Sequence, residues 1–350
     1  LSRALYEIFL RRKSPQDVIT MLTGKKDLQH RIPVMKKKGR IELVASGRMI
    51  SDHLRDRILH RITLTRGMQS RIKKQSGHII SSLEKRHIKA MRSKQYRDAK
   101  NFAAEGALWK ELNDCPEEEE LQFIEQLVRF YTDSIADYYV PAARTLLMRF
   151  IAPFRWVLGG FRKGSIGPIV NGRIKEIREL VDNYPVIYVP THRTHIDSVE
   201  LVYGLFFKGF PLPRFAAASI LMSNPIWGGF LKSMGAYAVD RENTRNILYL
   251  EVLTQYTTMM LESGIPALAY PEGTRSRTGE FQSIKTGLLS TAIDAFRESG
   301  HEIILLPISI SHQWVPEDKV FNNQARETGF WTYVFRRQRT YMDIGEPIRV

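Results

Sequence analysis

From about Val170 onward the sequence alternates short apolar runs with segments of helical periodicity, and no other feature restricts the fold as tightly. "GRIKEIRELVDN" (172–183) puts Ile174, Ile177, Leu180 and Val181 on one helical face. "PVIYVP" (185–190) is a compact buried strand, and the polar turn "THRTHID" (191–197) then leads into an apolar helix. "RFAAAS" (214–219) and "AYAV" (236–239) read as short strands. Asn243 or Thr244 is placed to cap a helix running to Ser263, closed by Gly264 and Pro266. "PALAY" (266–270) is a strand that runs straight into "PEGTRSRTG" (271–279). A helix over Leu288–Phe296, a strand in "EIILLPISI" (302–310) and a final strand-like run, "TYMDIGEPI" (340–348), complete the pattern. Such alternation predicts an α/β domain over residues 170–350, a largely parallel sheet flanked by helices. Polar loops leaving the C-terminal ends of strands are where such sheets usually place their chemistry.

Residues 1–135 read as a helical region with few strand signals. "DHLRDRILHRITLTRGMQSRIKKQ" (52–75) and "EEEELQFIEQLVRFYTDSIADYY" (117–139) both carry apolar residues at helical spacing. Between them, the acidic, proline-containing stretch Asp114–Glu120 is the best linker candidate. The region is also strongly basic. The whole chain of 350 residues carries a net charge of +15, and residues 1–110 alone hold 27 Lys and Arg against 9 Asp and Glu. That asymmetry points to an anionic partner, lipid headgroups or nucleic acid, against the simpler alternative of a solvated basic arm. No aromatic-interleaved RNA-recognition signature, zinc-finger spacing or heptad-plus-basic pattern occurs, which makes nucleic acid the weaker choice.

No run of eighteen or more uncharged apolar residues exists to predict a simple transmembrane helix. Within residues 136–169, the segment Val140–Phe161 mixes Leu, Met, Phe and Trp with Arg144, Arg149 and Arg155, and includes Pro141 and Pro153. It reads as an interfacial, membrane-associating segment whose arginines snorkel to headgroups, with a buried core helix as the competing reading. The single cysteine, Cys115, excludes an internal disulfide and a Cys-rich metal site, and fits an active site facing a reducing compartment. The chain starts at Leu1 without a methionine, which leaves open whether a targeting segment precedes it.

Two loops carry the candidate chemistry. In "HRTHID", His192 can take a proton from an alcohol near neutral pH, and Asp197 can fix its tautomer and stabilise the imidazolium. By itself that spacing is weak. In "PEGTRSRTG", directly after a buried strand, glycines at 273 and 279 let the backbone bend around an anion. Arg275 and Arg277 there offer fork-shaped donors suited to phosphate oxygens, and Glu272 is placed to orient an arginine or the acceptor. A third piece is "GAYAVDR", a short strand from Gly235 with Arg241 at its end. The fourth is Pro307 in "LLPISI", which alone predicts an edge strand or a bulge.

Taken in order, His-x4-Asp at 192–197, Gly-to-Arg at 235–241, Glu-Gly-x-Arg at 272–275 and the strand proline at 307 resemble the glycerolipid acyltransferases. The likeness covers about residues 180–345. "HRTHID" and the "RSRTG" ending are most similar to the glycerol-3-phosphate 1-O-acyltransferase and dihydroxyacetone-phosphate acyltransferase branch. Lysophosphatidate acyltransferases typically read "NHxSxxD" instead. Ser198 and Thr274 depart from the branch, where Tyr and, in bacterial members, Gly are usual, and both departures bear on the acceptor.

The resemblance implies one-step transfer of a fatty acyl group from acyl-CoA or acyl carrier protein to glycerol 3-phosphate or a similar phosphorylated acceptor. His192 would be the base and Asp197 its partner. Arg241, Arg275, Arg277 and more weakly Arg193 would bind the phosphate, with Glu272 and Gly273 shaping the substrate site. No cofactor is implied beyond the thioester donor, because a thioester is already activated. Dihydroxyacetone phosphate or lysophosphatidate as acceptor, and a non-catalytic membrane- or nucleic-acid-binding protein on a degenerate fold, remain the alternatives at this point. The apolar segments "VELVYGLFFKGF" (199–210) and "NPIWGGFL" (224–231) suit core packing better than an acyl-chain tunnel.

Overall fold

A computed structural model describes residues 34–37, 40–43, 47–135, 149, 168–194, 196–222, 228–229, 231, 235–243, 245–276, 280–314 and 339–350. The expected membrane-associating segment, apart from Arg149 and residues 168–169, lies outside the described residues, as does most of "NPIWGGFL".

Residues 1–33 of the expected helical region lie outside the described residues. Among the described residues up to 135 the chain is helical, as its periodicity predicts, with one addition. Strands β1 (Val34–Lys37) and β2 (Arg40–Leu43) form an antiparallel hairpin that the residue pattern did not signal. Helices α1 (Gly47–Leu64), α2 (Met68–Lys74), α3 (Ser76–Arg92), α4 (Tyr96–Asp114) and α5 (Glu120–Ile135) follow. The 52–75 stretch is two helices rather than one, because Gly67 takes the left-handed conformation (φ +74°) between α1 and α2. Asp114–Glu120 is not a separating linker. It makes a tight turn into α5, with Lys73 Nζ donating to the Cys115 carbonyl (2.7 Å) and reaching the Glu120 carboxylate (2.8 Å).

Beyond residue 168 the strand–helix alternation appears in full. In chain order come β3 (Ile169–Asn171), α6 (Ile174–Asn183), β4 (Val186–Pro190), α7 (Asp197–Phe207), β5 (Arg214–Ala218), the single turn α8 (Ser219–Met222) and β6 (Ala236–Val239). Then follow α9 (Ile247–Glu262), β7 (Ala267–Leu268), α10 (Gly287–Ser299), β8 (Ile304–His312), β9 (Thr340–Ile344) and β10 (Ile348–Arg349). The strands order as β3-β9-β8-β4-β7-β5-β6, with β10 also beside β8. All neighbouring pairs are parallel except β8 with β9 and β8 with β10.

Helices cover both faces, so β4 is apolar on both. Val186 and Tyr188 point into a core with Ile177, Val181, Leu201 and Leu205 of α6 and α7. Ile187 points the other way, toward Leu261 of α9 and Ala292 and Ala295 of α10. The helical region packs outside α9: Leu54, Ile58, Leu127 and Tyr131 share a core with Leu248, Val252, Tyr256 and Met259. A buried bidentate pair, Arg57 with Glu262 at 2.7 and 2.9 Å, fastens α1 to the end of α9. Residues 199–207 are largely core, in line with the packing reading.

Two local expectations are corrected. The cap of α9 is Asn246, whose side chain accepts the Tyr249 N–H, and not Asn243 or Thr244. Pro307 lies in an interior strand rather than at an edge or a bulge, opposite Val189 of β4. Its carbonyl accepts the Gly345 N–H (2.9 Å) in the break between β9 and β10. A strand residue presents its nitrogen to the same neighbour as its carbonyl, so the missing N–H falls where the ladder is already interrupted.

Candidate active site

The end of β4 is pinned before the polar turn begins. Thr191 N–H donates to the Ile308 carbonyl (3.0 Å), and its hydroxyl donates to the Ile310 carbonyl (3.2 Å) while accepting the Ile310 N–H (2.9 Å). This extends the β4–β8 ladder by a residue and delivers His192 in fixed register. The His192 carbonyl accepts the Ser276 N–H (3.0 Å), joining the turn to the loop that follows β7.

Asp197 opens α7 and is fully buried. Its Oδ2 accepts the backbone N–H groups of Arg193 (2.6 Å) and Thr194 (2.8 Å) and lies 3.0 Å from His192 Nδ1. Its Oδ1 accepts the Thr194 hydroxyl (3.1 Å) and lies 2.7 Å from His312 Nε2. Burial alone pushes this carboxyl up. The hydrogen bonds from His192, His312 and the Thr194 backbone outweigh it and hold Asp197 well below the usual carboxylate range. A permanent carboxylate at Nδ1 fixes the His192 proton there and leaves the Nε2 lone pair to accept another. The His192 side chain keeps 15% of its surface exposed, so its ring is reachable.

Two neighbours went unrecognised in the sequence. Tyr270 stacks on the His192 ring, with centroids 3.9 Å apart and planes 20° from parallel, and its hydroxyl lies 2.7 Å from Ser198 Oγ. Burial, with the Asp197 charge adding to it, pushes the Tyr270 phenol well up, so it stays neutral. His312, at the end of β8, bonds Asp197 and has Nδ1 3.1 Å from Thr340 Oγ1 on β9. Its one sequence signal is its place just past "LLPISI", on the strand beside β4.

The Glu-Gly-Thr-Arg turn follows β7. Glu272 is buried, with Oε1 3.4 Å from Arg193 Nη1 and Oε2 accepting the Gln282 N–H (3.1 Å). Arg193 is thus drawn across from the His192 turn to Glu272, and its guanidinium lies over the Phe281 ring at 5.3 Å. Gly273 has φ +66°, and a Cβ there would meet Lys285 Cδ at 2.8 Å. Lys285 is a further cation among the described residues at this turn, besides Arg193 and Arg275, that the motif pattern did not single out. Arg275 is half-buried next to Ser276, the residue that holds the His192 carbonyl. Arg277 lies outside the described residues.

Arg241 is exposed, at the start of a 3-10 turn (Arg241–Asn243) just beyond β6. In the order β4-β7-β5-β6 the strands run parallel, so the loops bearing His192, Arg275 and Arg241 leave the same edge of the sheet. The structure joins the His192 and Glu272 loops by direct bonds, and Arg241 shares their edge two strands away from β7. Among the described residues no group of three or more His, Cys, Asp or Glu side chains is arranged to hold a metal ion.

The family model described as Acyltransferase matches residues 172–311, which include His192, Asp197, Arg241, Glu272, Gly273 and Arg275. A glycerol-3-phosphate acyltransferase of Pseudomonas putida (strain W619) is 31% identical over 238 residues, 64% of this chain and 28% of that protein. One from Pseudomonas syringae pv. syringae (strain B728a) is 36% identical over 171 residues, 49% of this chain and 20% of that protein. The chain therefore spans less than a third of the length of these curated relatives. Among solved structures, the 1-acyl-sn-glycerophosphate (LPA) acyltransferase PlsC from Thermotoga maritima aligns with a TM-score of 0.35 and 20% identity, over 59% of this chain and 70% of that one.

Proposed function

We propose, from the match of residues 172–311 to the acyltransferase family model and the likeness to glycerol-3-phosphate acyltransferases, that the chain transfers a fatty acyl group from an acyl thioester to the 1-hydroxyl of sn-glycerol 3-phosphate. The observation that carries this reading is the buried, ionised Asp197 bonded to His192 Nδ1, in a turn tied directly to the Glu-Gly-Thr-Arg loop. His192 Nε2 takes the hydroxyl proton as the oxygen attacks the thioester carbonyl. The C–S bond then breaks, and the proton passes from the imidazolium to the departing thiolate. Asp197 stabilises the imidazolium between those events. Arg275, Arg241 and Arg277 hold the acceptor's phosphate, which positions its hydroxyl, while the Arg193–Glu272 pair braces the loop. The thioester, from acyl-CoA or acyl carrier protein, is already activated, so the reaction as read calls on no metal or further cofactor.

The same reading places the chain on a membrane surface, with its active site toward a reducing compartment. No helix among the described residues is long and apolar enough to cross a membrane. Support for surface attachment comes from the 27 basic against 9 acidic residues in 1–110 and from the Val140–Phe161 sequence.

The test is an acyl-transfer assay crossing glycerol 3-phosphate, dihydroxyacetone phosphate and lysophosphatidate with palmitoyl-CoA and palmitoyl-acyl carrier protein. The reading expects glycerol 3-phosphate to give the highest kcat/KM. Preference for lysophosphatidate, or no transfer to any acceptor, overturns it.

A further inference from the structure

Three helices of the N-terminal region, α3, α4 and α5, and the cap residue between α2 and α3, converge on the short segment that carries Arg241. Gln75, between α2 and α3, accepts the Ile247 N–H (3.1 Å) and donates to the Arg245 carbonyl (3.3 Å). Glu105 of α4 accepts from Asn243 Nδ2 (3.1 Å), and the Tyr131 hydroxyl of α5 accepts from Asn246 Nδ2 (2.8 Å) while donating to Glu105 (2.6 Å). From α3, Arg86 donates through Nη2 to Asp240 Oδ2 (2.5 Å), and its Nε lies 3.0 Å from Glu242 Oε2. The Phe102 ring backs the Arg86 guanidinium at 4.2 Å and fixes its plane.

The charge order here is unusual for an anion site. Arg241 stands between two carboxylates, Asp240 and Glu242. Left unpaired, they would lower the positive potential where a phosphate dianion must bind. One fork from another part of the chain engages both. Asp240 is also locked from within, its N–H donating to the Tyr249 hydroxyl (2.7 Å) and its Oδ1 accepting the Glu242 N–H (3.0 Å).

We propose that Arg86 is a positioning residue of the acceptor site: by holding and neutralising Asp240 and Glu242, it lets Arg241 act on the acceptor's phosphate. This gives the helical region a part in substrate binding beyond packing. It rests on the reading of Arg241 as a phosphate-binding residue, and the experiment separates the two.

In the full chain, steady-state kinetics with glycerol 3-phosphate and palmitoyl-CoA are compared for Arg86→Met, for Arg86→Met combined with Asp240→Asn and Glu242→Gln, for Arg241→Ala, and for Arg86→Met with Arg241→Ala. Arg86→Met raises the KM for glycerol 3-phosphate roughly tenfold, as two released charges near the phosphate require, with kcat and the palmitoyl-CoA KM nearly unchanged. Neutralising both carboxylates in that background restores the KM, which no loss of packing would do. In the Arg241→Ala background the Arg86 substitution has little further effect. If Arg86→Met leaves the KM alone, if neutralisation does not restore it, or if the Arg86 effect persists undiminished without Arg241, the proposal is overturned. Should Arg86→Met not fold, Glu242→Arg with Arg86 intact still decides it: the acceptor KM then falls or holds, and a rise refutes the electrostatic role. An Arg241→Ala variant with an ordinary acceptor KM instead removes the reading of Arg241 itself.

Discussion

His312 Nε2 lies 2.7 Å from Oδ1 of Asp197, on the oxygen opposite the one that His192 engages. The carboxylate therefore serves two imidazoles, and only one of them faces the site as a base. The other, fully buried and held by Thr340, keeps Asp197 ionised and aimed.

His312→Ala is accordingly expected to lower kcat by roughly tenfold or more, the worth of one charge-assisted hydrogen bond. The acid-side loss of stability should begin at a higher pH than in the parent, because Asp197 loses one of the bonds that depress it. His312→Gln, which can still donate to Oδ1, should recover most of the rate. A pH dependence of stability unchanged in His312→Ala would show that His312 merely fills space.

Asp197→Asn tests stability as well as rate. The folded-state pKa of Asp197 lies below its unfolded value, so its contribution to stability is complete above the ordinary carboxylate range and is lost as pH falls toward the depressed value. The variant should be less stable than the parent at pH 7, and the gap should close as pH drops below about 4. Denaturant titrations between pH 7 and pH 3 would measure this. A gap that stays constant would mean that Asp197 is not the buried anion described.

Gly273→Ala places a side chain at φ +66°, at a cost of about 1–2 kcal/mol, and drives its Cβ against Lys285. Unfolding in urea should show that loss, and the acceptor KM should rise as the turn and Lys285 shift. Wild-type stability and KM together would deny the turn its strained conformation.

Arg57→Met leaves Glu262 buried without its partner and should destabilise the chain by about 3–5 kcal/mol. Adding Glu262→Leu should recover most of it, since a buried pair replaced by apolar residues is often neutral. If Arg57→Met costs under 1 kcal/mol, α1 does not depend on this pair to dock on α9.

The fold was legible because period-2 and period-3.6 patterns alternate so regularly after Val170; every strand anticipated from that pattern is present. His192 and the Glu272 turn were legible because each follows closely on an apolar strand, and Asp197 because it closes the same polar turn as His192. His312 and Tyr270 were not, since their partners are distant in sequence: 115 positions separate His312 from Asp197, and 72 separate Tyr270 from Ser198. Only strand order brings them together. The same holds for Arg86, which is 154 positions from Asp240 and lies in a region that reads from composition as basic and little more. Pro307 was misjudged because a missing N–H predicts an edge, whereas here it meets a break between two strands pairing with the same neighbour.

The proton acceptor is the centre of the account, and His192→Ala tests it most directly. Turnover of palmitoyl-CoA with saturating glycerol 3-phosphate should fall by about 10²–10⁴-fold. Thermal unfolding and glycerol 3-phosphate binding, measured on the same sample, should stay close to those of the parent, because little core and none of the arginines are removed. A His192→Ala protein that turns over at near-parental rate would contradict the account, whatever the arginine variants do.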